Sequence, residues 1–337
     1  MATIKDVSNI SGISVGTVSR YLNGYKVKTE NKEKIEKAIK DLNYKVNHMA
    51  RGLKTNKTFT IGVLVPSITD IFSNQVIEGM EEILEEENYS LIVCSSRNNT
   101  KVEKEKLAFL RQKRVDGIVL MAVSDESQHV KKILKEGMPL VLIDRLLEGI
   151  KCDAVVCNND NGSYNAIENL IRYGHRKIGI IAGPENVYTA RERLSGYIRC
   201  LDDYQIPVDE NIIRYARYEK NGGIDEYKIL MNIENPPTAI FATNYETTMS
   251  GIKYFMKNGI KIGQDISLFG YDNIDIFEML TPSISTVEQP MNQIGEKAAR
   301  LLLKRIKEED STYPIIYRLN TKIINGTSVK KLIGGDN

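Results

Sequence analysis

Residues 3–24, TIKDVSNISGISVGTVSRYLNG, decide how this chain is read. Thr3 caps a first helix, with Asp6 three residues on as its capping-box partner, and Ile4, Val7 and Ile10 give that helix one apolar stripe. Gly12 sits in a short break, and Ser14 is a natural N-cap for a second helix over 15–23. At roughly 100° per residue, Val18, Tyr21 and Leu22 fall on one side of the second helix; Val15, Gly16, Ser19, Arg20 and Asn23 fall on the other. The apolar side packs on the first helix and leaves a small, basic front free to enter a DNA major groove. With Thr17 on the same helix and Thr3 and Ser14 at the two helix starts, these are the candidate DNA contacts of an all-α helix-turn-helix head. A third helix fits TENKEKIEKAIKDLNY (29–44), capped by Thr29, with Ile35, Ala38, Ile39 and Leu42 at helical spacing.

Charge follows the same division. Residues 1–57 carry twelve Lys and Arg against five Asp and Glu, a net of +7, whereas the whole chain is only +2, so residues 58–337 net −5. A basic head on a mildly acidic body is the footprint of phosphate binding at one end, although a solvated lysine-rich surface would give the same sum. The 337 residues suit a small head and a core large enough for two subdomains. No run of eighteen apolar residues occurs and no charged leader precedes an apolar stretch, so the expectation is a cytoplasmic protein without a membrane span. Cys94, Cys152, Cys157 and Cys200 form no C-x-x-C pair and read as buried reduced thiols. His48, His129 and His175 lie far apart, which leaves little to build a zinc site or a catalytic triad, and no cofactor is expected.

From residue 59 short β-rich runs alternate with amphipathic stretches. Strands are expected at 60–65, 90–95, 116–121, 139–144, 153–158, 177–183, 238–243 and 266–272. Helices are expected at 74–88, 101–113, 126–136, 163–173, 190–204, 223–233, 246–258 and 293–309. Strands this continuously apolar are buried on both faces, as in a doubly wound parallel α/β sheet. No G-x-G-x-x-G opens a helix after any strand, which argues against a dinucleotide-using enzyme.

In TIKDV (3–7) and SVGTVSR (14–20) the head resembles the lac repressor/galactose repressor family of bacterial transcription regulators. NHMARGLKTNKTFTIGVLVP (47–66) is similar to that family's hinge running into the first core strand. GHRKIGIIAG (174–183), PTAIFATN (237–244), DISLFGYDN (265–273) and TPSISTVEQP (281–290) extend the likeness over nearly the whole chain. The resemblance implies a head with its hinge helix at 1–58, the hinge at about 47–55, and a core at 59–337 like the periplasmic sugar-binding proteins. Its first subdomain would span about 59–160 and 290–319, its second about 161–289 and 320–333. Leu53 matches the leucine that wedges into the minor groove, Ala50 leaves room for a partner helix, and Asn47, Arg51 and Lys54 join the DNA-contact set.

Ligands of such sheets bind at the carboxyl ends of strands. There stand Phe72 in PSITDIFSNQ, Asp144 and Arg145 after PLVLI, Asn244 after PTAIFAT and Asp272 after ISLFGY; Arg193 of TARERLSGY matches the family's effector-contacting arginine. A ring to stack on C–H faces, with arginines, amides and carboxylates for vicinal hydroxyls, suits a sugar. Ile71-Phe72 supplies one aromatic ring where a planar nucleobase prefers two. Two departures from the family pattern stand out: Asn244-Tyr245 replaces its Asn-Asp pair, with Thr248 and Ser250 following, and the last strand reads KIINGTS. The reading is a homodimeric repressor of carbohydrate uptake or catabolism genes, binding a pseudo-palindromic operator and controlled by a sugar or sugar phosphate. The alternatives are a global carbon-catabolite regulator with a phosphoprotein corepressor, or a regulator with a purine-type effector. A transporter's solute-binding protein would share the core but leave residues 1–57 unexplained.

Overall fold

The computed structural model describes residues 2–22, 25–44, 57–307 and 312–332. Asn23 and the hinge candidates Asn47, Ala50, Arg51, Leu53 and Lys54 lie outside the described residues. The chain divides into two compact units, Met1–Phe59 and Thr60–Asn337.

In the first unit, α1 (Ile4–Ser11), α2 (Val15–Leu22) and α3 (Thr29–Asp41) enclose Val7, Val18, Ile35 and Ala38. Thr3 and Asp6 form the expected capping box, each side chain bonded to the other's backbone N–H. Gly12 then ends α1 with φ 68°, a left-handed turn that favours glycine. Two expectations need correction. Ile10 is 56% exposed, because successive steps of three residues drift backwards around the helix by about 60° each. Thr29 begins α3 instead of capping it; Lys28 holds the cap position and its side chain makes no cap bond.

The second unit is two six-stranded sheets flanked by helices. β1 (Thr60–Val65), β2 (Ser90–Ser95), β3 (Gly117–Leu120), β4 (Leu140–Ile143) and β5 (Asp153–Cys157) join β11 (Ile316–Leu319) in the order β11-β5-β4-β3-β1-β2. β6 (Ile178–Ala182), β7 (Ile213–Tyr215), β8 (Ala239–Ala242), β9 (Ser267–Tyr271), β10 (Ser285–Glu288) and β12 (Lys322–Ile324) run β12-β10-β9-β8-β6-β7. All pairings are parallel except β10 with β12, so the second sheet has one antiparallel edge. The chain passes between the sheets three times: after β5, after β10, and between β11 and β12.

The helices are α4 (Ile71–Glu86), α5 (Thr100–Gln112), α6 (Gln128–Lys135), α7 (Asn159–Arg172), α8 (Tyr188–Asp203), α9 (Ile224–Asn232), α10 (Tyr245–Lys257), α11 (Asp275–Met279) and α12 (Met291–Lys307). Each lobe contains a helix pair whose close approach depends on glycine. A Cβ on Gly295 of α12 would lie 2.0 Å from the Val76 carbonyl of α4, and one on Gly196 of α8 would lie 2.0 Å from the Asp160 carbonyl of α7. Contacts that short cannot be relieved by a side-chain rotation, so these positions fix how closely backbones pack. All four cysteines are free and buried. Among the described residues no helix is long and apolar enough to cross a membrane.

Candidate functional site

In the head, α2 shows two faces. Val18 is fully buried, whereas Val15, Gly16 and Arg20 are exposed and Thr17 and Ser19 half-buried. A Cβ on Gly16 would meet nothing within 4 Å, so the fold itself does not demand a glycine there. Ser14 accepts from the Thr17 N–H and lies 3.0 Å from the Thr17 hydroxyl, which orders the first turn of this face. Tyr21, on the packing side, donates to Glu36 of α3 at 2.6 Å. The Thr3 hydroxyl is occupied by Asp6 at 2.8 Å. Tyr25, which the sequence did not single out, is 63% exposed, and its N–H donates to the Arg20 carbonyl, just past the end of α2.

In the core, the six candidate residues, Phe72, Asp144, Arg145, Arg193, Asn244 and Asp272, all line one cavity of about 590 Å³ between the two sheets. Its position is the one that strand-end loops of open parallel sheets create. Asp144 follows β4 and Asp272 follows β9, and both have left-handed backbones, φ 69° and 67°. Their N–H groups bond the Val155 and Val287 carbonyls of the adjacent strands, so the two lobes present a carboxylate by the same device. Such a backbone costs on the order of 1–3 kcal/mol per residue and persists only where its surroundings dictate it.

The cavity is extensively cross-linked. Arg145 holds the Asp144 carboxylate through Nε and Nη2 at 3.2 and 3.0 Å and donates to the Val123 carbonyl; it is a buried wall of the cleft and not a surface ion-pair partner. Arg193, 3% exposed, donates to Asn159 Oδ1 at 2.9 Å and to the Thr243 carbonyl at 2.6 Å, and lies 3.8 Å over the Tyr271 ring. Asp272 accepts from the Tyr245 N–H at 3.0 Å and from the Gln289 amide at 2.6 Å, and burial pushes its carboxyl up. Among the described residues no ion pair joins Arg193 to Asp272. Asn244 caps α10, its Oδ1 taken by the Thr247 N–H and hydroxyl, which leaves its amide nitrogen for a ligand.

Sequence reasoning missed part of the lining. Tyr218 sits in a loop without a motif, and Tyr245 was noted only as a departure from the family pattern; with Phe72 they put three aromatic rings on the cavity, so the one-ring argument against a planar base does not hold. Asp70 also lines it, capping α4 through the Ser73 N–H and hydroxyl. Across the two lobes, Arg191 of α8 bonds Asp125 at 2.8 Å and Glu192 bonds Arg318 of β11 at 3.3 Å.

Asp70 carries a pH prediction. Burial, with the charges of Asp272 and Asp144 adding to it and the Ser73 bonds opposing it, lifts its carboxyl to about 6 from 3.8. A carboxyl raised in the folded state stabilises it fully below the unfolded value, and that contribution is lost as pH rises through the folded one. Asn at this position keeps the cap but does not titrate. Wild type should therefore lose about 1–2 kcal/mol relative to Asp70→Asn between pH 4 and pH 7. Paired melting curves at four pH values check this; a constant difference would refute it.

Residues 3–47 match the model of the bacterial regulatory proteins of the lacI family, and residues 167–329 match the periplasmic binding protein-like domain. The HTH-type transcriptional repressor PurR of Vibrio atlanticus is 35% identical over 335 residues, covering 98% of this chain and all of that protein. This chain belongs to the lacI family of bacterial regulatory proteins. It is a DNA-binding transcription regulator with a helix-turn-helix head and a two-sheet effector-binding core. Two solved relatives share its fold. The transcriptional regulator CelR in complex with cellobiose is 27% identical, with a TM-score of 0.75, over 97% of this chain and 100% of its own. A LacI family regulator from Enterococcus faecium with bound ribose is 31% identical, with a TM-score of 0.72, over 81% and 99%.

Proposed function

We propose that this regulator is a cytoplasmic, homodimeric repressor of carbohydrate uptake or catabolism genes, and not a catalyst, whose operator affinity is set by a sugar in the cleft. The observation that carries the reading is the convergence of Phe72, Asp144, Arg145, Arg193, Asn244 and Asp272 on one cavity between the lobes. Carboxylates, guanidiniums and an amide there offer bidentate partners for vicinal hydroxyls, and the rings offer a stacking face. The cellobiose and ribose complexes of similar regulators support a sugar. A purine-type effector is the second reading, favoured by the three rings that Phe72, Tyr218 and Tyr245 bring to the cavity.

Residues 1–58 are the DNA-reading part and 59–337 the sensor. A single recognition helix covers too few base pairs for specificity, so paired half-sites and a dimer follow. A ligand that touches both lobes favours one lobe angle, and its effect on operator binding equals its difference in affinity for the two states. The test has two stages. A thermal-shift screen of the full chain against sugars, sugar phosphates and purines identifies the ligand; fluorescence anisotropy on a pseudo-palindromic site upstream of its own gene then measures the change in operator affinity. A sugar that both stabilises the protein and shifts operator affinity is expected. Stabilisation by a purine alone would overturn the sugar reading.

A further inference from the structure

The cleft has more negative charge and more hydrogen-bond acceptors than its own residues can match. Its inner part holds three carboxylates, Asp70, Asp144 and Asp272, against two guanidiniums, Arg145 and Arg193. Asp144 is matched by Arg145 at 3.0 Å. Arg193 directs its donors to Asn159 and the Thr243 carbonyl. Asp272 receives only neutral donors, from Tyr245 and Gln289, and the hydrogen bonds to Asp70 come from Ser73. The remaining charged lining balances, Glu219 and Glu246 against Lys220 and Lys253. With all of these carboxyls ionised, the cavity is one positive charge short.

A separate observation points the same way. Gln289 is 4% exposed and lines the cavity, and while its amide nitrogen serves Asp272, its Oε1 is buried without a partner. A buried acceptor left unmatched is destabilising, so this site calls for an incoming donor.

We propose that the effector is an amino sugar whose protonated primary amine supplies the missing charge to the acceptors formed by Asp70, Asp272 and Gln289. An ammonium has three donors and no acceptor, which suits a cavity lined by these acceptors. A neutral hydroxyl can satisfy one acceptor but leaves a carboxylate unbalanced beneath the ligand, and a sugar phosphate adds negative charge to a site already in excess. The aromatic lining from Phe72, Tyr218 and Tyr245 tolerates a cation, since ring faces attract one.

The inference rests on the sugar reading of the cleft and has its own test. Full-length protein is titrated calorimetrically at pH 7 with D-glucosamine beside D-glucose, D-galactosamine beside D-galactose, and cellobiose and adenine separately. In at least one pair the amine should bind about tenfold or more tightly than its neutral partner, and Asp70→Asn should remove that preference. Equal affinities within both pairs, or binding of cellobiose but of neither amine, would overturn the amine and leave the sugar reading standing. Binding of adenine alone would overturn both. The wild-type comparison stands even if Asp70→Asn folds poorly.

Discussion

Arg193→Ala should lower the unfolding free energy by about 2–4 kcal/mol and abolish the effector response, a combined loss that no other cleft substitution is expected to match. The stability loss follows from what Arg193 touches. Its removal leaves Asn159 Oδ1 without that donor, the Thr243 carbonyl without its 2.6 Å bond, and an empty space over the Tyr271 ring. Tyr271 also donates to Asn159 Oδ1, at 3.1 Å, so the deletion loosens a network that joins α7, α8 and β9. Arg193 therefore lines the proposed effector cavity and is also part of the framework of the second lobe, so its variant needs a comparison that spares the framework. Asp272→Asn provides the comparison. Asparagine can still accept from the Tyr245 N–H and bond the Gln289 side chain, and it removes a carboxylate that burial disfavours. It should melt within about 1 kcal/mol of wild type, or above it, and yet bind effector weakly. Denaturant melts beside calorimetric titrations decide the matter. An Arg193→Ala protein that melts like wild type would refute the network, and wild-type effector affinity in Asp272→Asn would remove that residue from the site.

The contrast shows how much the sequence could reveal. Strands were legible because TIGVLV, DGIVLM or TAIFAT can hardly be anything but buried β, and the residue that ends such a run is automatically at the ligand-binding edge. That is why Asp144, Asn244 and Asp272 could be identified without coordinates. β10 was not visible as a strand, because two of its three buried residues are the polar Ser285 and Thr286, whose hydroxyls find distant partners in Gly326 and Asn273. The starts of α4 and α7 were placed late for a related reason: a helix opening on polar residues and, in α7, on Asn-Asp-Asn-Gly, looks like a loop until Asp70 is seen capping Ser73 and Gly162 making room for the Thr321 hydroxyl. Tyr218 was invisible because loop conformation brings it to Thr243, 25 residues along the chain, and no periodicity encodes that. The partners of Arg193 are likewise tertiary facts, 34 and 50 residues away in sequence.

Arg20→Ala should weaken operator binding by about 1–3 kcal/mol, roughly five- to 150-fold, while binding to random DNA of the same length falls much less. Arg20 is exposed on the open face of α2, two residues beyond fully buried Val18, so its backbone is fixed by the head's core while its side chain is free to reach a base edge. A guanidinium matches the O6 and N7 of guanine as a bidentate pair, a geometry lysine cannot reproduce, so Arg20→Lys should recover random-DNA binding but only part of the operator affinity. The neighbours sharpen the expectation. Val15 and Gly16 lie on the same exposed face of α2, and the open space around Gly16 means that Gly16→Ala should test recognition without straining the fold. Anisotropy titrations at two salt concentrations separate the contributions: loss of a phosphate contact lowers the salt slope, whereas loss of a base contact leaves it nearly unchanged. Equal losses on operator and random DNA, with a reduced slope, would make Arg20 a backbone contact and shift sequence reading to Val15, Gly16 and Ser19.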